Sequence, residues 1–227
     1  MNSEPSRIEA AVRRIQQTLP PGVLLLAAVK TRSLEQVEAV LQAGVTHLGC
    51  NFVQEGLPLI QAIGPRATWH MIGHLQSNKA KTAAEHFDMI ETVDSWKLAQ
   101  TLEAACKFRQ KAMPILMEIN SGREANKTGV LPEAAEELAL QLSTLQAVHL
   151  EGLMTMGPRF GDPEASRPYF KETRAIFDRL KARPLPNGTM RYLSMGMSNS
   201  YRVAIEEGAN IIRLGSKLFG EQSGPLA

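Results

Sequence analysis

The sequence predicts an α/β fold, a single-domain (β/α)8 TIM barrel that spans residues 1–227. Short apolar runs alternate with helical patterns along the chain, and such alternation is typical of parallel strands joined by right-handed crossovers. Eight strand–helix units within roughly 200 residues fit a closed barrel. No stretch rich in Pro, Gly and Ser divides the chain. No GxGxxG motif follows an early strand, which weakens the alternative of an open doubly wound sheet.

The apolar runs predict the strands of this barrel. The first run, from residue 23 to residue 29, is apolar throughout, as expected of a strand that is buried on both faces. The predicted strands are Val23–Val29, His47–Cys50, Thr68–Ile72, Met89–Val93, Met113–Ile119, His149–Met154, Met190–Ser194 and Asn210–Leu214.

Apolar residues spaced three and four apart predict the helices. Gly44 is expected to stop the second helix, and Pro132 and Pro163 suit a first helical turn. The predicted helices are Arg7–Thr18, Ser33–Ala43, Val53–Ile63, Lys79–Glu85, Trp96–Arg109, Pro132–Leu145, Pro163–Ala182 and Tyr201–Glu207. A stripe of Tyr169, Phe170, Ile176, Phe177 and Leu180 is expected to face the core.

The composition predicts a cytoplasmic protein. The net charge is +2 and no run of Lys or Arg stands out, so neither nucleic acid nor a membrane surface is an expected partner. The cysteines Cys50 and Cys106 form no disulfide framework and lack metal-ligand spacing, so no metal site is expected. The N-terminus carries no apolar signal core, and no stretch approaches the roughly 18 apolar residues of a membrane span.

Lys30 is the first candidate site residue. It ends the first apolar run, where the strand leaves the core, and we expect its amine to lie close to low-dielectric surroundings. Burial disfavours an ammonium ion and favours the uncharged amine, which is the nucleophile that forms a Schiff base with an aldehyde or ketone.

Two loops late in the chain predict a phosphate site. Residues 194–200, with the sequence SMGMSNS, follow the seventh strand, and residues 213–216, with the sequence RLGS, leave the eighth. Small residues, hydroxyls and free backbone N–H groups at these two loops commonly hold phosphate in barrels. Arg213 supplies an adjacent cation. For these glycines the alternative is ordinary turn chemistry, and for Ser200 it is a helix cap.

A closed barrel would place Lys30 beside these two loops, because the first and eighth strands become neighbours. A ligand with both an aldehyde and a phosphate would bridge them. Pyridoxal 5′-phosphate (PLP) meets this requirement, and so does a sugar-phosphate aldose or ketose. The residues alone leave that choice open.

Long blocks of the sequence resemble the YggS/PROSC family of PLP homeostasis proteins, in the family's order and over nearly the whole chain. The matching blocks are AAVKT at 27–31, NFVQE at 51–55, WHMIGHLQSNK at 69–79, GLMTM at 152–156, LSMGMS at 193–198 and IRLGS at 212–216. The chain departs from the family at Cys50, where an acidic residue is usual, and at Ser200, where Asp is frequent.

The resemblance implies a barrel like the N-terminal domain of alanine racemase, without that enzyme's second domain. It implies that Lys30 carries PLP as a Schiff base and that Asn51 lies near the ring. It also implies that the phosphate is held by Ser198, Asn199, Gly215 and Ser216, and that Arg213 lies near the pyridine nitrogen. A cation there resists protonation of the ring and makes PLP a poorer electron sink.

Three functions follow as hypotheses. In the first, the protein binds PLP reversibly and takes part in PLP (vitamin B6) and amino/keto-acid homeostasis, without efficient turnover and with no catalytic residue of its own. Apo-enzymes that accept PLP, or a regulatory protein, would be its partners, and it would be a monomer. The second is an amino-acid racemase or a related PLP enzyme, and two-base racemisation requires a second acid/base on the opposite face of the cofactor. The third is a Schiff-base aldolase acting on a sugar phosphate.

Several residues near the predicted site have two interpretations. His70 and His74 are either hydrogen-bonded loop residues or catalytic bases, and the first reading is favoured. Cys50 is either a small half-buried residue or a reactive thiol. Residues 126–129 either cover the site or form a plain helix-entry turn. The methionines are expected to be packing residues, with Met195 and Met197 as candidates for contact with the ligand.

Overall fold

The pattern of alternating strands and helices folds into a closed parallel barrel. The computed structural model describes residues 3–158 and 161–220. Its strands are β1 Leu24–Ala28, β2 His47–Cys50, β3 Thr68–Met71, β4 Met89–Val93, β5 Met113–Ile119, β6 Val148–Thr155, β7 Gly188–Ser194 and β8 Ile211–Leu214. Neighbouring strands pair in parallel in chain order, and β8 closes the barrel against β1. Leu26 of β1 lies in register with His47 of β2 on one side and with Arg213 of β8 on the other.

Helices surround the barrel. They are α1 Glu4–Gln16, α2 Leu34–Gln42, α3 Val53–Ile63, α4 Ala80–His86, α5 Trp96–Arg109, α6 Ala135–Leu142, α7 Arg167–Lys181, α8 Tyr201–Glu206 and α9 Ser216–Phe219. Within residues 3–158 and 161–220, none of these helices combines the length and the apolar character needed to cross a lipid bilayer.

The ends of these helices follow from local sequence. Ser33 and Gln36 form a capping box that starts α2, and Gly44, with a φ of 91°, follows its last turn. The side chain of Ser95 accepts the N–H of Leu98 at the start of α5. Such caps satisfy backbone N–H groups that have no acceptor within their own helix. The predicted helices are therefore found in the predicted order.

Two apolar layers hold the fold together. The larger layer lies between the barrel and the helices, and the predicted stripe on α7 joins it through Phe170, Ile176, Phe177 and Leu180. The smaller layer fills the barrel interior. It contains the clusters Leu26, Ile72, Ile211 and Met89, Leu116, Met154. The stripe prediction is confirmed, with Tyr169 only partly buried against the core.

Some predicted boundaries differ from those observed. The region predicted as helix 132–145 begins with a 3-10 turn, Pro132–Ala134, and α6 itself ends at Leu142. β6 begins earlier than predicted because Val148 pairs with Met113, and β7 begins earlier because Gly188 pairs with Leu150. Backbone pairing, which a sequence pattern does not contain, sets these limits. The predicted domain, 1–227, extends beyond the described residues at both ends.

Candidate functional site

Lys30 lies two residues beyond the end of β1, at the carboxyl end of the barrel. Val29 is the last buried residue before it, and Lys30 itself is exposed. Its Nζ lies 5.7 Å from the centre of the Phe52 ring, in the loop after β2. The residue also lines a cavity of about 240 Å³ between the loop after β1 and α3. The expectation of a low-dielectric environment is wrong, because the chain leaves the core before it reaches the lysine.

The loops after β7 and β8 meet beside β1. The hydroxyl of Ser198 accepts the backbone N–H groups of Gly215 and Lys217, each at 3.2 Å. A Cβ atom placed on Gly215 would lie 3.7 Å from the carbonyl oxygen of Ala28, two residues before Lys30. The structure therefore brings three of the predicted site positions, Lys30, Ser198 and Gly215, to one part of the barrel mouth.

Two further residues predicted for the phosphate site are exposed. Ser216 is the first residue of α9, and its backbone N–H has no acceptor within that helix. Asn199 donates its side-chain amide to the carbonyl of Gly161 at 2.9 Å, so this side chain contacts the loop after β6. Asn199 is predicted to hold the phosphate, and its side-chain amide is already engaged in a contact inside the protein.

Asn51 follows β2 and is half-buried. Its carbonyl oxygen lies so close to Gly73 that a Cβ atom there would come within 2.2 Å of it. Real Cβ atoms do not approach backbone so closely, so this contact requires a glycine at position 73. The loops after β2 and β3 are packed together at Asn51 for this reason.

Arg213 points into the barrel and is only 4% exposed. Its Nη1 donates to the hydroxyl of Ser194 at 2.6 Å, and its Nη2 donates to the carbonyl of Thr155 at 2.9 Å. Burial lowers the pKa of Arg213, while the neighbouring carboxylates of Glu91 and Glu118 act in the opposite direction. These two hydrogen bonds engage both terminal nitrogens of the guanidinium.

Glu91 is a fully buried carboxylate in the middle of β4. It accepts the Ser194 hydroxyl at 2.6 Å and lies 2.7 Å from Nδ1 of His70. Burial alone would raise the pKa of Glu91, but the hydrogen bond from His70 and the charges nearby lower it overall. His70 continues the chain to Nδ1 of His47 at 2.9 Å. This chain of hydrogen bonds was not predicted, although the Glu within the apolar run 89–93 was a usable signal.

Glu118, near the end of β5, is a second buried carboxylate close to Arg213. The hydroxyl of Thr128 lies 3.1 and 3.2 Å from its two oxygens. Burial raises the pKa of Glu118 to about 7, and the nearby Asp94 acts in the same direction. Such a carboxyl exchanges its proton near neutral pH.

The segment 126–129 carries Thr128 back along β5. Val130, just after it, forms a parallel bridge with Ile119, and Gly129 turns with a φ of 103°. The segment is therefore more than a helix-entry turn, because it supplies a hydrogen-bond partner to the buried Glu118. Sequence spacing gave no sign of that contact.

The two histidines of β3 and its loop differ. His70 lies within the strand, buried among the hydrogen bonds to Glu91 and His47. His74 is largely exposed, with its Nδ1 3.8 Å from a carboxylate oxygen of Asp94. His70 is thus hydrogen-bonded as favoured, although it belongs to a strand and not to a loop.

Three other interpretations are now decided. Cys50 is 2% exposed, so it is buried and not half-buried as predicted, and burial raises its pKa to about 12, which argues against a reactive thiol. Ser200 occupies the N-cap position of α8, as predicted, but its hydroxyl makes no capping hydrogen bond and accepts the N–H of Met197 at 3.4 Å. Met195 is fully buried in the main core and is a packing residue, whereas Met197 is half-buried.

Comparison with known proteins gives consistent matches. Residues 4–223 match the family described as alanine racemase, N-terminal domain. The pyridoxal phosphate homeostasis protein of Pasteurella multocida is 36% identical over 211 residues, which cover 91% of this chain and 90% of the relative. The protein of the same name from Aquifex aeolicus is 38% identical over 199 residues, which cover 87% and 86%.

Solved structures give the same picture. PipY of Synechococcus elongatus PCC7942, solved without and with PLP, superposes with TM-scores of 0.88 and 0.86 at 34% and 33% identity. Both superpositions cover 94% of this chain and 100% of PipY. Alanine racemase of Clostridium difficile 630 is 17% identical, with a TM-score of 0.76 over 96% of this chain and 60% of the racemase, a likeness of fold. The predicted resemblance is confirmed: the chain belongs to the family of pyridoxal phosphate homeostasis proteins, built on the barrel of the alanine racemase N-terminal domain.

Proposed function

We propose that this protein binds PLP through a Schiff base on Lys30 and takes part in PLP (vitamin B6) and amino/keto-acid homeostasis, as a single domain over residues 1–227. The observation that carries the proposal is the position of Lys30 beside Ala28 and Gly215, where the loops after β7 and β8 present their donors. Family membership and the structure of PipY with PLP bound support it.

The donors at this position suit a phosphate group. Two backbone N–H groups, from Gly215 and Lys217, converge on the hydroxyl oxygen of Ser198, and a phosphate oxygen would replace this hydroxyl as their acceptor. Ser216 adds an exposed hydroxyl and a backbone N–H without an acceptor in its helix. Hydroxyls and converging N–H groups are the donors that bind phosphate in many proteins. In this proposal Ser198, Asn199, Gly215 and Ser216 hold the phosphate, with Asn199 contributing through its backbone.

The remaining assignments concern the ring. When bound, PLP supplies an aldehyde that condenses with a primary amine and releases one water molecule. Lys30 provides the amine, and Asn51 lies at the neighbouring strand end. Arg213 would lie near the pyridine nitrogen. A cation at that place opposes protonation of the ring, so the site is suited to holding PLP more than to stabilising carbanions.

The absence of efficient turnover is part of the proposal. Two-base racemisation requires a group on the opposite face of the cofactor. Two tyrosines considered for this role are packed inside the fold. Tyr192 packs in the barrel interior with Met89 and Leu116, and Tyr201 is buried on α8. One observation favours the second candidate, an amino-acid racemase. Glu118 is a buried carboxyl whose pKa is raised to about 7, and such a carboxyl can act as an acid/base near neutral pH. Family membership argues against the third, a sugar-phosphate aldolase.

The first experiment tests the attachment. Purified protein loaded with PLP is reduced with borohydride, digested and examined by mass spectrometry for a pyridoxyl group on residue 30. We expect the group on Lys30, none in Lys30→Ala or Lys30→Arg, and an unchanged result in Lys171→Ala, which removes an exposed lysine of α7. An adduct that persists at full occupancy in Lys30→Ala would exclude the assignment.

The second experiment separates a PLP-holding protein from an enzyme. Racemisation is measured for the common amino acids with the PLP-loaded protein. Turnover on the order of 1 s⁻¹ or faster, the ordinary enzyme range, would favour the racemase. Transfer of bound PLP to an apo-enzyme, compared with transfer from free PLP, tests delivery. We further propose a cytoplasmic monomer, which sedimentation and cell fractionation would check.

A further inference from the structure

Arg213 is held from within the barrel by two buried residues of other strands. Ser194 of β7 accepts the Arg213 guanidinium at 2.6 Å and donates to Glu91 of β4 at 2.6 Å. The exposed fractions of Arg213, Ser194 and Glu91 are 4%, 0% and 0%. The chain of hydrogen bonds therefore crosses the barrel from β8 to β4 with almost no access to water.

The direction of these hydrogen bonds is fixed by chemistry. An ionised carboxylate only accepts, and a guanidinium only donates. The single proton of the Ser194 hydroxyl must therefore go to Glu91, and its lone pairs are left for Arg213. Hydrogen bonds to charged groups in a low dielectric are short and strong. Glu91 thus decides which way the Ser194 hydroxyl points.

The second oxygen of Glu91 is also held. Nδ1 of His70 lies 2.7 Å from it, so His70 carries its proton on Nδ1 when it faces the carboxylate. With both of its oxygens engaged, Glu91 has little freedom to turn away from Ser194. The Glu91 carboxylate therefore holds the other groups of this chain of hydrogen bonds in position.

We propose that Glu91 and Ser194 are positioning residues, which hold the Arg213 guanidinium in place for the pyridine nitrogen of bound PLP. This inference rests on the proposed function, because it requires PLP on Lys30. Glu91 acts through Ser194 and balances the charge of Arg213. The titratable groups that face this chain are Glu118 beside Arg213, with Asp94 beyond it, and His70 beside Glu91, with His47 beyond it.

Two substitutions separate the positional effect from the charge effect. Ser194→Ala removes the hydroxyl and keeps both charges. Glu91→Gln keeps an acceptor oxygen of similar placement and removes the negative charge. A surface variant, Glu137→Gln on α6, removes the same charge from an exposed position and is the matched control.

The readout is the absorbance of bound PLP as a function of pH, which reports the protonation of the cofactor. In Glu91→Gln the site gains net positive charge, so the midpoint of the spectral change should move to lower pH by on the order of one unit. In Ser194→Ala the guanidinium is released from its place, and the midpoint should move to higher pH. Glu137→Gln and the hydroxyl-preserving Ser194→Thr should titrate like the wild type.

Mass spectrometry of the reduced adduct distinguishes the possible failures. A pyridoxyl group on Lys30 in the wild type, with identical midpoints in Ser194→Ala, Glu91→Gln and the wild type, would overturn the positioning role and leave the proposed function standing. A wild type without the group on Lys30 would overturn both. If Glu91→Gln does not fold, Ser194→Ala decides alone, because it removes a single oxygen atom.

Discussion

The hydroxyl of Ser198 accepts the backbone N–H of Gly215 at 3.2 Å, which joins the loop after β7 to the loop after β8. A Cβ atom on Gly215 would make only ordinary contacts, 3.7 Å from the carbonyl oxygen and 3.8 Å from the Cβ of Ala28. The fold therefore has room for a Cβ atom at this position, whereas we expect a larger side chain to obstruct the proposed phosphate site.

Gly215→Leu should accordingly weaken PLP binding while the protein stays folded. We expect the dissociation constant for PLP to rise at least about tenfold, which corresponds to roughly 1.4 kcal/mol. Absorbance titration measures the affinity, and thermal unfolding of the PLP-free protein measures the fold. Gly215→Ala is the milder control. Unchanged affinity in Gly215→Leu would mean that the phosphate binds elsewhere.

Glu118→Gln should change how stability depends on pH. The pKa of Glu118 is raised from 4.5 to about 7 in the folded protein, so the folded state keeps a proton that the unfolded state releases. The free energy of unfolding therefore falls as pH rises from about 4.5 to about 7, by on the order of 3 kcal/mol. The variant, which cannot ionise, should lack this loss.

Urea unfolding of the PLP-free protein at pH 5 and pH 8 measures the effect. Glu118→Gln should resemble the wild type at pH 5 and exceed its stability at pH 8. Glu137→Gln, an exposed substitution of the same kind, should leave the pH dependence unchanged. Parallel pH profiles for Glu118→Gln and the wild type would show that Glu118 ionises normally.

Gly73→Ala should destabilise the protein. The new Cβ would lie 2.2 Å from the carbonyl oxygen of Asn51, which is backbone and has little room to yield. We expect a loss of about 2 kcal/mol, typical of overpacking. PLP affinity should fall with it, because the loop that carries Asn51 must shift. Urea unfolding compares this variant with Gly215→Ala, and equal stabilities would show that the Asn51 loop moves freely.

Both cysteines should react slowly in the native protein. Burial raises the pKa of Cys50 to about 12 and also raises that of Cys106, so little thiolate forms at neutral pH. Alkylation by iodoacetamide at pH 7.5, followed by mass spectrometry, should be at least about tenfold slower than in urea. Rapid native labelling of Cys50 would restore the reading as a reactive thiol.

The sequence predicts the barrel and the general place of its site, because both depend on local patterns. Apolar runs and helix-start signals repeat along the chain, and Lys30, Ser198 and Gly215 follow strands whose carboxyl ends share one face. The chain from Arg213 to Glu91 depends on contacts between β8, β7 and β4, which are far apart in sequence. In strands buried on both faces, no alternation reveals which side chains point into the barrel.

The sequence pattern also did not predict the exposure of Lys30 or the hydrogen-bond partner of Ser200. The apolar run before Lys30 suggested burial, but the strand ends at Ala28 and the lysine lies outside the core. Ser200 has the right residue type for a helix cap, yet its hydroxyl bonds to Met197. In both cases the backbone path after a strand decided the outcome, and that path depends on packing against neighbouring loops.

Thr31, immediately after Lys30, has a φ of 57°, a conformation that β-branched residues rarely adopt. Its neighbours on the C-terminal side are fixed, because Arg32 bonds to Gly220 at 3.2 Å and Ser33 starts a capping box. Local strain of this kind, on the order of 1–3 kcal/mol, persists only where surrounding contacts impose it. The backbone that bears the lysine is thus ordered before any ligand arrives. On binding, the Lys30 side chain loses rotational entropy while the backbone that carries it loses little, which favours capture of a small aldehyde.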